Sequence, residues 1–491
     1  MAVGRRPLAL EKPTTPLQRF SWAARTARTY NSDGDLRRSA TFSSKLASIL
    51  GSSFAPETLN KLERGGLSFD IAKSLGYESL LGLVPWSLAD LYIYSARLQG
   101  VEPDWSRFVH AVDETPKDLL FALAREEPLT APQLLSITKD LVSPGNDVLQ
   151  SRVWRERICH AVLDAFGDAF EMDERLLREA LVLLGDKVVP HIVERTESQP
   201  LRYFNAIESL GFMTCSASWQ ALVRLGECEV HGVQGQIIVE SVRRRLANNG
   251  SAGNEFGVRL PELFDYCVRA VGDPTHPFTA REESLALLSL TSTNWWRTSE
   301  ISNLREDIAQ LRVEPRSHSK RDFVDEVVRR AEGASAALAD QSEMPRSLSG
   351  LAALVEEGIY GRDRVDRLAA SMILRSVPTA NFTCIAVGQV SLQTDAADYG
   401  VKRSSVRLLT KAGYPEGLAY VSRMAREQMR DEGLRLAVAW ALGLANDSED
   451  KSSLISIGAE GSTVTRQVAE LSWNRRHFGG IPLEPQQSVV E

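Results

Sequence analysis

The sequence predicts an all-α protein, a small helical head followed by a long helical body. Three observations predict it: apolar residues recur at helical spacing, no comparable run alternates with period two, and glycines punctuate the helices at intervals. Of 491 residues, 43% are hydrophobic and 25% charged, an ordinary globular balance in a chain long enough for two or three folding units. No run of 18 apolar residues occurs, so no membrane partner is expected. The opening MAVGRRPLALEKPTTP lacks the apolar stretch of a secretory signal. Five scattered cysteines (Cys159, Cys215, Cys228, Cys267, Cys384) fit reduced thiols and a cytoplasmic location. Arginine outnumbers lysine 46 to 11, the bias of a GC-rich bacterial genome.

Residues 1–15 read as a flexible basic arm, in which Arg5, Arg6 and Lys12 could follow a nucleic-acid groove. Residues 16–84 read as a compact set of short helices. Residues 1–80 hold 12 Lys+Arg against 7 Asp+Glu, a net of +5, which leaves −12 on the remaining 411 residues. A basic head on an acidic body points to a polyanion as the head's partner.

Within the head, TFSSKLASILGSS predicts a helix capped at Thr41, with Leu46, Ile49 and Leu50 inward and Gly51 closing it. FAPETLNKLERGG predicts a short helix. Pro56 suits its first turn, Ser52 and Ser53 are available as caps, Leu59 and Leu62 point inward, and Gly65 and Gly66 stop it. LSFDIAKSLGYESLLGL predicts a third helix with Ser68 as N-cap and Phe69, Ala72, Leu75 and Leu80 packing. VPWSLADLYIYSARLQG is apolar enough to pack the head onto the body.

On the segments LASILG, ETLNKLERG and LSFDIAKSLGY, the head resembles the lambda-repressor/Cro-like (xenobiotic-response-element type) helix-turn-helix family. The resemblance covers about 70 residues. It departs from the family pattern in a longer turn between Gly51 and Pro56, a long loop NSDGDLRRSA, and no glutamine near the start of the second helix. The resemblance implies a DNA-binding domain in which the PETLNKLE helix enters the major groove. Carried over by position, Ser53, Glu57, Thr58, Asn60 and Lys61 would face DNA. Arg37, Arg38, Lys45 and Arg64 would grip phosphates, whereas Glu63 would serve the fold.

The body, from about residue 105, repeats one-faced helices: Ile158, Ala161, Val162, Ala165 and Phe166, then Leu177, Ala180, Leu181 and Leu184, and Leu434, Ala437, Val438, Ala441 and Leu442 near the end. FNAIESLG, VRLLTKAG and AVAWALG each stop at glycine, and Gly413 and Gly443 lie 30 residues apart. Two helices per roughly 30–40 residues is the signature of an α-solenoid. The segment resembles HEAT-like repeats, most clearly over 365–475. Helical repeats are expected over 85–250 and 259–475, and a tail over 476–491. LANNGSAGNEFG (246–257) and RVEPRSHSKRD (312–322) read as loops.

No P-loop, GxGxxG, HExxH, GxSxG or CxxC motif occurs, so no enzyme and no cofactor are expected. Cys215, Cys228 and His231 would make a zinc site only with His191 or Cys267 folded close, and core cysteine is the commoner reading, so no metal is expected. Acidic pairs at Glu126–Glu127 and Glu356–Glu357 read as solvated charge on helical faces. Trp440 reads as core. The pair Trp295–Trp296 cannot both be buried on one helix face.

Together these features predict a sequence-specific transcriptional regulator that binds double-stranded DNA through its head. Its body would dimerise, giving a homodimer, or bind a small-molecule or protein effector. The alternative is an α-solenoid scaffold that binds a protein partner and no DNA.

Overall fold

The computed structural model describes residues 15–29, 31, 33–83, 85–105, 114–143, 151–169, 171–227, 232–249, 261–273, 278–290, 317–338, 351–361, 367, 370–371, 374–375, 380–394, 399–426, 429–444 and 450–477. Among the described residues there is helix and no strand, and no helix is long and apolar enough to cross a membrane. Arg5, Arg6, Lys12, Cys228, His231, Trp295 and Trp296 lie outside the described residues.

The head comprises α1 (Pro16–Thr29), α2 (Ser39–Leu50), α3 (Pro56–Glu63) and α4 (Ile71–Leu81), and α5 (Ser87–Leu98) follows it. Then follow α6 (Pro116–Ala124), α7 (Ala131–Val142), α8 (Arg152–Asp168), α9 (Glu171–Leu184), α10 (Val189–Ser198), α11 (Pro200–Tyr203), α12 (Ile207–Phe212), α13 (Ser216–Glu227) and α14 (Gly232–Asn249). The last part contains α15 (Pro261–Gly272), α16 (Phe278–Leu290), α17 (Ser317–Leu338), α18 (Leu351–Tyr360), α19 (Ala380–Gln393), α20 (Tyr399–Ala412), α21 (Pro415–Met424), α22 (Glu432–Leu442), α23 (Asp450–Glu460) and α24 (Thr463–His477).

An aromatic chain runs through the head core. Phe20 of α1 meets Phe69 edge-on at 4.7 Å, Phe69 meets Tyr77 at 5.4 Å, and Tyr77 meets Phe42 of α2 at 4.7 Å. Each such pair contributes roughly 0.5–1.5 kcal/mol beyond its burial. Leu46, Leu59, Leu62 and Ile71 fill the remaining space. As expected from VPWSLADLYIYSARLQG, α5 is buried along almost its whole length, with α1 and α4 on one side and α9 on the other.

Several local expectations are corrected. Asp70, and not Ser68, caps α4, its carboxylate accepting from the Lys73 N–H at 2.7 Å. The chain before it stays non-helical while Phe69 enters the core. The second helix starts at Ser39, before Thr41, and α3 starts after Ala55 with no side-chain cap from Ser52 or Ser53. Ile49 is 48% exposed and Leu50 half-buried, because α2 turns only Phe42, Ser43 and Leu46 fully inward.

In the body, helices pack both on their sequence neighbours and on the next helix but one: α12 on α14, α14 on α16, α19 on α21, α20 on α22, and α22 on α24. The C-terminal helix α24 returns to pack on α14 and α11. Gly413 closes α20 in the left-handed conformation, but Gly443 is right-handed and Gly211 lies inside α12, so two of the three expected glycine stops are not of that kind. At Gly211 the reason is contact: a Cβ would come within 2.9 Å of the Ser241 backbone on α14. Residues 246–249 and 317–322, expected as loop, are helical instead, at the end of α14 and the start of α17.

Candidate functional site

Two features invite a ligand: the outer face of α3 and a cavity inside the body. The inner face of α3 is held by charge as well as by leucine. Arg28 of α1 donates to the Glu63 carboxylate through Nε at 2.6 Å and Nη2 at 2.8 Å, and the Tyr77 hydroxyl donates to Glu63 at 3.0 Å. Glu63 is 3% exposed, so this bidentate pair is closed to water. Desolvation works to lower the Arg28 pKa, but the Glu63 carboxylate outweighs it and the guanidinium stays above its ordinary value. The same burial raises the Tyr77 hydroxyl, with Glu63 adding to the effect.

The outer face is polar. Ser53, Glu57, Asn60, Lys61 and Arg64 are exposed and Thr58 is half-buried. Lys45 of α2 and Arg38 are exposed, Arg38 in a 3.4 Å ion pair with Asp35. Arg37 is placed differently from its expected companions. It is half-buried, and its Nε donates to the Asn31 carbonyl at 2.7 Å, bracing the loop before α2. The eight residues of α3 span about 12 Å, close to the width of a major groove of about 12 Å.

The cavity, about 260 Å³, lies between two halves of the molecule. One wall comes from α5, α9, the turn Phe204–Ala206, α12 and α14, and includes Tyr94, Arg178, Glu208 and Glu240. The opposite wall, from α18, Arg367, α20 and α22, includes Arg407, Lys411 and Trp440. The lining holds five cations (Arg175, Arg178, Arg367, Arg407, Lys411) and three carboxylates (Glu174, Glu208, Glu240). All three carboxylates stand on the first wall. Trp440, expected as core, is only half-buried and meets Phe204 edge-on at 6.1 Å across the space.

The first wall is a chain of ion pairs. Arg178 meets Glu174 at 2.7 Å and Glu208 at 2.8 Å, while Arg244 meets Glu208 at 2.9 Å and Glu240 at 3.0 Å. Burial pulls the Arg178 and Arg244 values down, and the carboxylates more than restore them. Tyr94, buried beside them, is pushed up to about 12.

The cavity is tied to the head on two sides. Tyr94 belongs to α5, which packs on α1 and α4. Gly358 lines the cavity, and its neighbour Glu357 pairs with Arg19 of α1 at 2.6 Å. Glu357 is therefore a half-buried partner of the head and not solvated charge. Glu126 and Glu127 lie in a turn after α6 and not on a helix face, Glu126 at φ 57°.

Sequence reasoning missed the cavity and the Arg19–Glu357 contact. Its walls come from segments hundreds of residues apart, and no spacing rule joins them. His191 stands beside Glu156 and His160, and Cys215 is not part of that cluster. Comparison of the chain with protein-family models, with curated proteins and with solved structures found no match.

Proposed function

We propose that this chain is a sequence-specific DNA-binding transcriptional regulator. In this reading α2 and α3 act as a helix-turn-helix, and the packed helices beyond α5 act as a HEAT-like α-solenoid that dimerises, receives an effector, or both. One observation carries the proposal: α3 is clamped from within by Leu59, Leu62 and the Glu63–Arg28 pair, while Glu57, Asn60, Lys61 and Arg64 stand exposed on its other side. A rigidly held short helix with a polar outer face suits reading of base edges, Asn60 toward adenine and Lys61 toward guanine or phosphate.

The body cavity is the seat of the effector in this reading. The excess of cations over carboxylates in the lining and the apolar rings of Trp440 and Phe204 suit a small anionic molecule with an apolar part. A ligand that prefers one spacing of the two walls would bias the head through α5 and through Glu357–Arg19.

The test is fluorescence anisotropy of the full chain on duplex from its own upstream region, with random duplex of equal length as the control. Specific binding should exceed non-specific binding by about a hundredfold or more. With four exposed cations, Arg38, Lys45, Lys61 and Arg64, the slope of log affinity against log salt should be about −3.6 per head. Asn60→Ala and Thr58→Ala should weaken specific binding and leave non-specific binding intact. No binding at low salt would overturn the proposal and favour the scaffold that binds a protein partner.

A further inference from the structure

Helices α8 and α10 pack together, and their facing side chains form rungs at four-residue steps. Asp164 meets Arg195 at 2.9 Å in one rung. One turn earlier, the rung is Glu156, His160 and His191. His191 Nε2 lies 3.1 Å from Glu156 Oε2, and the two imidazole rings are tilted at 59° with centroids 4.8 Å apart. Two of the seven histidines of the chain therefore touch, beside a carboxylate spaced i, i+4 from one of them on the same helix face. Each of the three offers one ligand atom, and these atoms all lie within 4.8 Å of one another.

From this geometry we infer a binding site for one divalent transition-metal ion of the Zn²⁺ class, held by Glu156, His160 and His191. Zinc takes imidazole nitrogen and carboxylate oxygen at about 2.0–2.2 Å, so neighbouring ligand atoms in its tetrahedron stand about 3.3 Å apart. Glu156 and His191 already have that separation. His160 is exposed, so its ring is free to swing the remaining distance. Two nitrogens and one oxygen suit zinc and its neighbours, whereas magnesium and calcium favour oxygen alone. The fourth position is left to water, and the ion ties α8 to α10 near one end of their seam. The site stands apart from α3 and from the cavity, so it does not depend on the proposed function.

The experiment uses the full chain, freed of metal by a chelator and titrated with Co²⁺ and then with Zn²⁺ near neutral pH. One equivalent of Co²⁺ should bind with visible d–d bands of a tetrahedral ion and no thiolate charge-transfer band. Zn²⁺ should displace it and raise the melting temperature. His160→Ala removes an exposed side chain and should leave the helical circular dichroism unchanged while weakening Zn²⁺ at least about tenfold. Glu156→Gln should do the same, and Cys215→Ser should do nothing. No uptake of Co²⁺ by the folded chain would overturn the inference. So would uptake that carries a thiolate band, or that is indifferent to His160→Ala.

Discussion

Behind α3, buried charge closes on itself: Arg28 has one carboxylate partner, Glu63, with the Tyr77 hydroxyl completing the group. In the body, buried charge forms a chain of shared partners, Glu174, Arg178, Glu208, Arg244 and Glu240, and that chain forms part of a cavity wall. The difference teaches that buried ions here do two physical jobs. A closed pair fixes one helix in one place, at the risk of losing everything when one partner goes. A shared network tolerates a lost member and keeps polar groups at the edge of a space that a ligand can enter.

The contrast is broken or sharpened by substitution. Glu63→Ala leaves the Arg28 guanidinium buried without its carboxylate, and urea unfolding should show a loss of about 3–5 kcal/mol. Glu208→Gln leaves Arg178 with Glu174 and Arg244 with Glu240, so the same measurement should show a smaller loss, about 1.5–3 kcal/mol. Equal losses would mean that the network is no more redundant than the pair.

A third expectation concerns pH. Burial lifts the Glu78 carboxyl from 4.5 to about 7, although the N–H groups of Ala89, Trp86 and Leu88 pull it down. Because the folded state holds this proton more tightly than the unfolded one, its contribution to stability is fully present below pH 4.5. It is lost as pH rises through about 7, and it is constant above. Urea midpoints of the wild type should carry this falling segment, and Glu78→Gln should flatten it. A wild type whose slope matches the variant's would show that the three N–H groups keep Glu78 ionised throughout.

The smallest effect belongs to the outer face of α3. Asn60→Ala should change stability by less than about 0.5 kcal/mol, since Asn60 is exposed. If Asn60 reads a base, the same change should cost about 1–3 kcal/mol of specific DNA affinity. A large loss of stability would instead make this face part of a packing interface.

Much of the head was legible in the sequence. Pro56 in the first turn of α3, Leu59 and Leu62 inward, the stop after Glu63 and the left-handed Gly51 follow from rules that act over one helical turn. The caps were less legible. Ser68 is a good cap by type, yet Asp70 holds the position because Phe69 must be in the core before α4 begins. The Glu156-x-x-x-His160 spacing was not picked out in the sequence, because its partner His191 is supplied by another helix.

By itself, the sequence determined that the chain is helical, where the helices of the head and several of the body lie and which faces of them are apolar, because helical periodicity is set by neighbours three and four residues apart. Only the tertiary structure decided that Glu63 meets Arg28, that Glu357 reaches Arg19, and that Trp440, packed against the core, also lines a cavity. Those outcomes depend on which helices are stacked on which. Stacking is a property of all the apolar faces together, and no local spacing records it.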